Sequence, residues 1–189
     1  MSGDNKNPVK AGEARISLTA FIFEWVNAFM TAIVVVVLML TFVFRQVTVS
    51  GPSMNDTLSD KDRLIITNFM YTPQYKDIVV ISHGQNYKDP IIKRVIATAG
   101  QKLSIDFNTG DVSVDGVVLE EDYIKGTTGL VSDPLEIPEV IPEGYVFVMG
   151  DNRENSKDSR STDIGLIPVK NIIGKVVLRI YPVSQFGSV

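Results

Sequence analysis

A chain of 189 residues with no cysteine and a single histidine, His83, has few ways to build a nucleophile. Thiol chemistry, disulfides, zinc ribbons and iron–sulfur clusters are excluded. One histidine makes a multi-histidine metal site impossible and argues against a Ser–His–Asp triad. What remains is serine activated by lysine. A lysine acts as a base only when neutral, so desolvation must lower its pKa. In Pro90-Ile91-Ile92-Lys93-Arg94-Val95-Ile96-Ala97 a strand reading puts Ile91, Lys93, Val95 and Ala97 on one apolar face. Arg94 falls on the other face, with Ile92 and Ile96. Periodicity alone favours a plainer account, an edge strand whose lysine snorkels to water.

Among the serines, Ser53 has an unusual setting. In Val49-Ser50-Gly51-Pro52-Ser53-Met54 a strand ends at Gly-Pro and the serine follows on a turn. Gly51 permits close backbone approach, and the Ser53 amide could donate to an oxyanion. Taken alone, Gly-Pro-Ser is an ordinary turn. A third cluster, Gly150-Asp151-Asn152-Arg153-Glu154-Asn155-Ser156-Lys157-Asp158-Ser159-Arg160, follows the apolar run of residues 145–149. Calcium does not fit it: counting from Asp151, the third position is Arg153 and the sixth is Ser156 rather than glycine. The cluster is either a solvated loop or a paired network that orients catalytic groups. No metal and no cofactor is expected.

Elements must hold these residues in place, and the first is long and apolar. Residues 25–44 carry no charge between Glu24 and Arg45. At ~1.5 Å rise per residue they span ~30 Å, the thickness of a bilayer core. A cleaved signal sequence would have a shorter apolar region ending in a small-x-small site. This run is longer and meets Phe44-Arg45-Gln46-Val47, so a retained transmembrane anchor is the reading. Lys6, Lys10 and Arg15 precede it and only Arg45 follows closely, which puts residues 1–24 in the cytoplasm and 45–189 outside. The apolar stretch 16–23 extends the helix or lies along the membrane surface.

Beyond the anchor the pattern is that of strands. Short period-2 or wholly apolar runs recur at 46–50, 63–67, 77–82, 91–97, 102–107, 111–114, 116–119, 145–149 and 175–180. Turn residues separate them, and Asp115-Gly116 within VSVDGVVL reads as a type I′ hairpin. Short helical turns are expected near 54–59 and 168–173, and 126–144 is a long loop or a subdomain boundary. The net charge of −4 and pI near 5.0 exclude the basic surface of a nucleic-acid binder.

The combination and order of these features resemble a bacterial type I signal peptidase, the membrane-anchored serine protease that removes signal peptides from exported proteins. The marks are the anchor followed at once by Gly51-Pro52-Ser53-Met54-Asn55-Asp56-Thr57-Leu58, then Asp77-Ile78-Val79, then Lys93-Arg94-Val95-Ile96, then Gly150-Asp151-Asn152-Arg153 with Ser156, Asp158, Ser159 and Arg160. The resemblance runs from about Trp25 to the carboxyl end. It agrees with the strand pattern on a mainly antiparallel β catalytic domain, with a small β insertion at about 102–141. It implies Ser53 as nucleophile and Lys93 as general base, with Ser156 hydrogen-bonded to the lysine. It further implies ion pairs among Arg94, Asp151, Asp158 and Arg160. Shallow pockets for small residues, at the cleavage position and two residues before it, would be lined by Val49, Met54, Leu58 and Ile92. The implied partners are exported preproteins and the bilayer, close to the export channel, and no nucleic acid.

The chain departs from the family pattern in places. Asp56 stands where proline usually follows Ser-Met-x, and Lys76 where glycine usually precedes Asp-Ile-Val. Ala99 and Gln101 replace a proline and an aspartate after the lysine strand. Gly51 lacks the serine hydroxyl that some members supply to the oxyanion hole. None of these positions is a proposed nucleophile or proton carrier. Two rival readings remain. Self-cleaving repressor peptidases also pair serine with lysine, but the long anchor and the missing DNA-binding helices count against them. A non-catalytic membrane-anchored β module that binds exported or surface proteins would give Ser53 and Lys93 no special role.

Overall fold

The computed structural model describes residues 18–189. It divides into two units between Thr41 and Phe42. The first is carried by helix α1 (Leu18–Val43), 26 residues long and without one buried side chain. It is long and apolar enough to cross a membrane. It starts at Leu18 rather than Trp25, so the last residues of the 16–23 stretch continue the helix and Glu24 falls inside it. Lys6, Lys10 and Arg15, which carry the orientation argument, lie outside the described residues.

The second unit is a β domain. Strands β1 (Phe44–Thr48), β2 (Arg63–Thr67), β3 (Ile78–Ile81), β4 (Ile91–Thr98), β8 (Tyr145–Met149), β9 (Ile167–Pro168) and β10 (Ile172–Tyr181) form one sheet. Their order is β1-β2-β10-β3-β4-β8-β9, and every pairing is antiparallel. The middle strands read as continuous apolar runs because both faces are covered, as the fully buried pattern of β3 shows. A second sheet of β5 (Leu103–Asp106), β6 (Asp111–Val114) and β7 (Val117–Val118) lies inside the expected insertion. Its β6–β7 turn has positive φ at both Asp115 (53°) and Gly116 (81°), which a type I′ hairpin requires.

Most strand boundaries fall within two or three residues of the sequence reading. Strand β9 escaped it because two residues are too few to show a period. The 54–59 segment makes a single turn, closed by Leu58 N donating to Met54 O four residues before it. The chain at Val169–Asn171 makes the expected short helical turn, of the 3-10 type.

A bulge corrects one detail on the lysine strand. Between Val95 and Ala97 the register against β8 shifts, with Val95 facing Val148 and Ala97 facing Phe147. A bulge upsets strict alternation. Val95 therefore packs with Val79, Ile81 and Val148. Ala97 packs with Ile96, Phe147 and Met149 instead, in a cluster that also holds Leu103, Val112 and Val114 of the small sheet. The small sheet thus shares a core with β4 and β8.

Candidate active site

The turn carrying Ser53 is built by residues 49–62. Val49 N donates to Asp62 O and Lys61 N to Val49 O, which closes the loop at its neck. Gly51 sits at φ +88°, a conformation that suits glycine, and its N–H donates to Asp60 Oδ1. Asp62 is buried and accepts from Ser59 N and Arg179 Nη1. Met54 and Leu58 lie four residues apart on one side of the turn and pin it into the core with Leu64, Ile66 and Ile78. The residues expected at the pocket fall in two places. Val49, Met54 and Leu58 are core residues at 3%, 1% and 0% exposure and do not line the cleft; Ile92 does.

Lys93 meets this turn from β4. Its Nζ donates to Ser53 Oγ at 2.7 Å and to Ile92 O at 3.1 Å. The side chain is buried, which removes the snorkelling alternative: Lys93 is only 3% exposed. Burial pushes its pKa down from the ordinary lysine value to about 8, against the opposing pull of Asp158 and Asp151. An amine that is neutral near that pH can accept a proton from the hydroxyl beside it. Among the described residues Ser53 N donates no hydrogen bond, so this amide is free to meet an oxyanion.

A cleft of about 720 Å³ opens along the pair. Ser53 and Lys93 line it together with an apolar set, Val47, Val80, Ile91, Ile92, Ile164 and Ile173. The lone histidine lies elsewhere, bonded to Ser82 and Asn171, and is not part of the cleft.

The loop after β8 supports both partners, and its core is buried while Glu154, Asn155 and Lys157 stay exposed. Asp151 and Asp158 are wholly buried, and Arg153 and Arg160 nearly so. The ion pairs form two separate couples. Arg94 grips Asp151 with Nε at 2.8 Å and Nη2 at 2.6 Å. Arg160 grips Asp158 with Nε at 2.8 Å and Nη2 at 2.9 Å. Asp158 also accepts from Gly150 N.

Ser156 departs from expectation. Its Oγ is buried with no hydrogen-bond partner among the described residues, so the bond to Lys93 is not formed. It packs instead against Gly150, where any side chain would collide with Ser156 Oγ and with the Ser53 carbonyl oxygen.

Asn152 and Arg153 belong to the Gly150–Arg160 motif, and nothing in their residue types or spacing marks a role for them. Asn152 N donates to Ser53 O at 3.0 Å and its Nδ2 to Pro52 O at 3.2 Å, so it clamps the nucleophile turn. Arg153 Nε donates to Gly150 O, and its two other nitrogens take Glu121. Glu121 sits in the unremarkable acidic stretch Glu120-Glu121-Asp122, where no spacing could have singled it out.

Comparison with known proteins adds a separate finding. The family described as "Signal peptidase, peptidase S26" matches residues 22–181. A probable signal peptidase I-1 of Synechocystis is 37% identical over 179 residues, covering 89% of this chain and 87% of the relative. Signal peptidase I P of Bacillus subtilis subsp. natto is 35% identical over 173 residues, covering 87% and 91%. A solved signal peptidase I from Enterococcus faecalis is 25% identical, with a TM-score of 0.45, over 56% of this chain and 97% of that one.

Proposed function

The chain belongs to the signal peptidase family, peptidase S26, and from that premise we propose that it is a serine endopeptidase using Ser53 and Lys93. The observation that carries the proposal is the 2.7 Å contact between a buried lysine amine and a serine hydroxyl in an apolar-lined cleft. Ser53 Oγ attacks the scissile carbonyl and passes its proton to neutral Lys93. The Ser53 amide meets the oxyanion. Lys93 then gives that proton to the departing amine, leaving an acyl ester on Ser53. A water, its proton taken by Lys93, attacks the ester, and Lys93 returns that proton to Ser53 Oγ as the acyl–oxygen bond breaks. No step needs a metal or a cofactor.

The substrates are exported preproteins, cut after a small-x-small sequence. An extended substrate adds as a strand and supplies backbone hydrogen bonds, while alternate side chains face one way into the cleft. Ile92, with Val47, Val80 and Ile173, replaces the expected Val49, Met54 and Leu58 as the apolar lining. A narrow apolar pocket rejects large side chains by overlap. Helix α1 anchors the enzyme in the bilayer, with its amino terminus cytoplasmic and the β domain outside, near the export channel.

One experiment tests the reading. A fluorogenic peptide with Ala-x-Ala at the cleavage site is offered to the wild type and to Ser53→Ala, beside a twin carrying leucine at the cleavage position. Cleavage by the wild type of the alanine peptide alone is expected, with Ser53→Ala inactive on both. No cleavage by the wild type would leave the non-catalytic binding module as the better account, and equal turnover by Ser53→Ala would remove Ser53 as the nucleophile. Efficient cleavage of the leucine peptide would remove the pocket model while sparing the nucleophile.

A further inference from the structure

Three buried arginines, one on β4 beside Lys93 and two on the loop after β8, each hold one carboxylate: Arg94 with Asp151, Arg160 with Asp158, and Arg153 with Glu121. Two of these acids belong to the loop after β8. Glu121 comes from a different segment, between β7 and β8, and so does the aromatic ring that caps Arg94. Tyr123 lies with its ring centroid 4.0 Å from the Arg94 guanidinium carbon. Its hydroxyl donates to Glu121 Oε1 at 2.9 Å. Glu121 in turn accepts from Arg153 Nη2 at 2.6 Å and Nη1 at 2.9 Å. The chain of contacts is therefore continuous from Arg94 through Tyr123 and Glu121 to Arg153. The backbone reinforces it, since Lys125 N donates to Asp151 O and Arg153 N to Lys125 O.

We propose that Tyr123 and Glu121 are positioning residues for the proteolytic step, holding Lys93 against Ser53 by clamping Arg94 and Arg153. The inference rests on the Ser53–Lys93 reading given above. Arg94 is the residue next to Lys93 on β4, so its placement sets that of the lysine backbone. Each of its three nitrogens donates in the guanidinium plane, Nε and Nη2 to Asp151 and Nη1 to Lys76 O. The remaining freedom is tilt out of that plane, and Tyr123 closes it. Arg153 needs Glu121 because a buried guanidinium without a carboxylate is costly. Arg153 in turn holds Gly150 O, one residue from the Asp151 that grips Arg94 and two from the Asn152 that clamps Ser53. Burial pushes the Tyr123 hydroxyl up, so it stays a donor throughout the working range.

The expected readout follows from what faces Lys93. Asp151, Asp158 and Arg160 act on it from the loop after β8, Ser53 touches it from the turn, Arg94 flanks it on β4, and Asp89 and Lys157 line the same cleft. Desolvation outweighs all of these. Loosening the clamp lets water reach the amine, so the pH at which it becomes neutral climbs.

The test compares full-length enzyme, wild type and Tyr123→Leu, on an Ala-x-Ala peptide between pH 6 and pH 11. Tyr123→Leu is expected to displace the alkaline rise in kcat by about one pH unit upward, about a tenfold loss near neutrality, with KM unchanged. Tyr123→Phe, which keeps the ring, should recover most of that loss. A folded Tyr123→Leu enzyme with native kcat and pH profile overturns the proposal, as does an equal loss in both variants with the profile unmoved. If the leucine variant does not fold, Glu121→Gln carries the test: the same displacement supports the clamp and a native profile overturns it. Wild-type activity in Ser53→Ala would instead remove the underlying pair, whatever Tyr123 does.

Discussion

Lys93 is the residue on which chemistry and stability pull in opposite directions. Its folded pKa of about 8 lies below the ordinary 10.5 because burial disfavours the charged form. Between those two values the unfolded chain binds more protons than the folded one, so stability rises with pH through that window. Below about 8 the folded protein carries the full cost of a buried ammonium. Replacing Lys93 with methionine, similar in length and uncharged, should therefore stabilise the fold by about 1–3 kcal/mol at neutral pH while abolishing cleavage. Denaturant unfolding would show it, and a Met variant less stable than the wild type would contradict the burial argument. Peptide cleavage by the wild type should rise with pH and reach half its plateau near about 8. The sequence made this lysine legible through its apolar neighbours Ile91 and Val95. It could not decide between a buried and a snorkelling amine, because that depends on Ser53 arriving from forty residues away.

At the scale of elements, the loop after β8 is held by charges with no access to water. Asp151→Ala would strand Arg94 in the interior, and Asp158→Ala would strand Arg160; each should cost ~3–5 kcal/mol. Lys157→Ala removes an exposed partner of Asp163 and should change stability little. Thermal melts of the three variants check this ranking, and three equal small effects would mean that the buried couples contribute little. The loop itself was readable from its motif, as was the strand bearing Lys93, because both rest on local residue types. The lining of the cleft was not. Val49, Met54 and Leu58 flank the nucleophile in sequence, but their apolar side chains are drawn inward by the core, and the exposed side of the turn is left to Gly51, Pro52 and Ser53. Tyr123 and Glu121 were equally hidden, since their partners are brought to them only by the sheet.

At the scale of the molecule, a covalent tether joins one apolar helix to a catalytic domain. A tether raises the effective concentration of enzyme for substrates confined to the same membrane and does nothing for a free peptide. The domain released as residues 42–189 should cleave a short Ala-x-Ala peptide about as fast as the full chain. On a preprotein reconstituted in vesicles its kcat/KM should fall by about tenfold or more. Equal losses on both substrates would mean that the helix supports the fold and not the encounter. Both the helix and the β-rich remainder were legible from hydropathy and period-2 runs, which need no tertiary information. The bulge at Val95 and the joining of the two sheets in one core were not, because both arise from contacts between strands distant along the chain.

That shared core constrains how such a protein can diversify. Leu103, Val112 and Val114 of the small sheet cover Ile96, Ala97, Phe147 and Met149 on the two strands nearest the chemistry. A lineage can lengthen or trim the exposed Val117–Val118 edge at little cost. Loss of the whole insertion would bare Ile96, Ala97, Phe147 and Met149 on β4 and β8 to water.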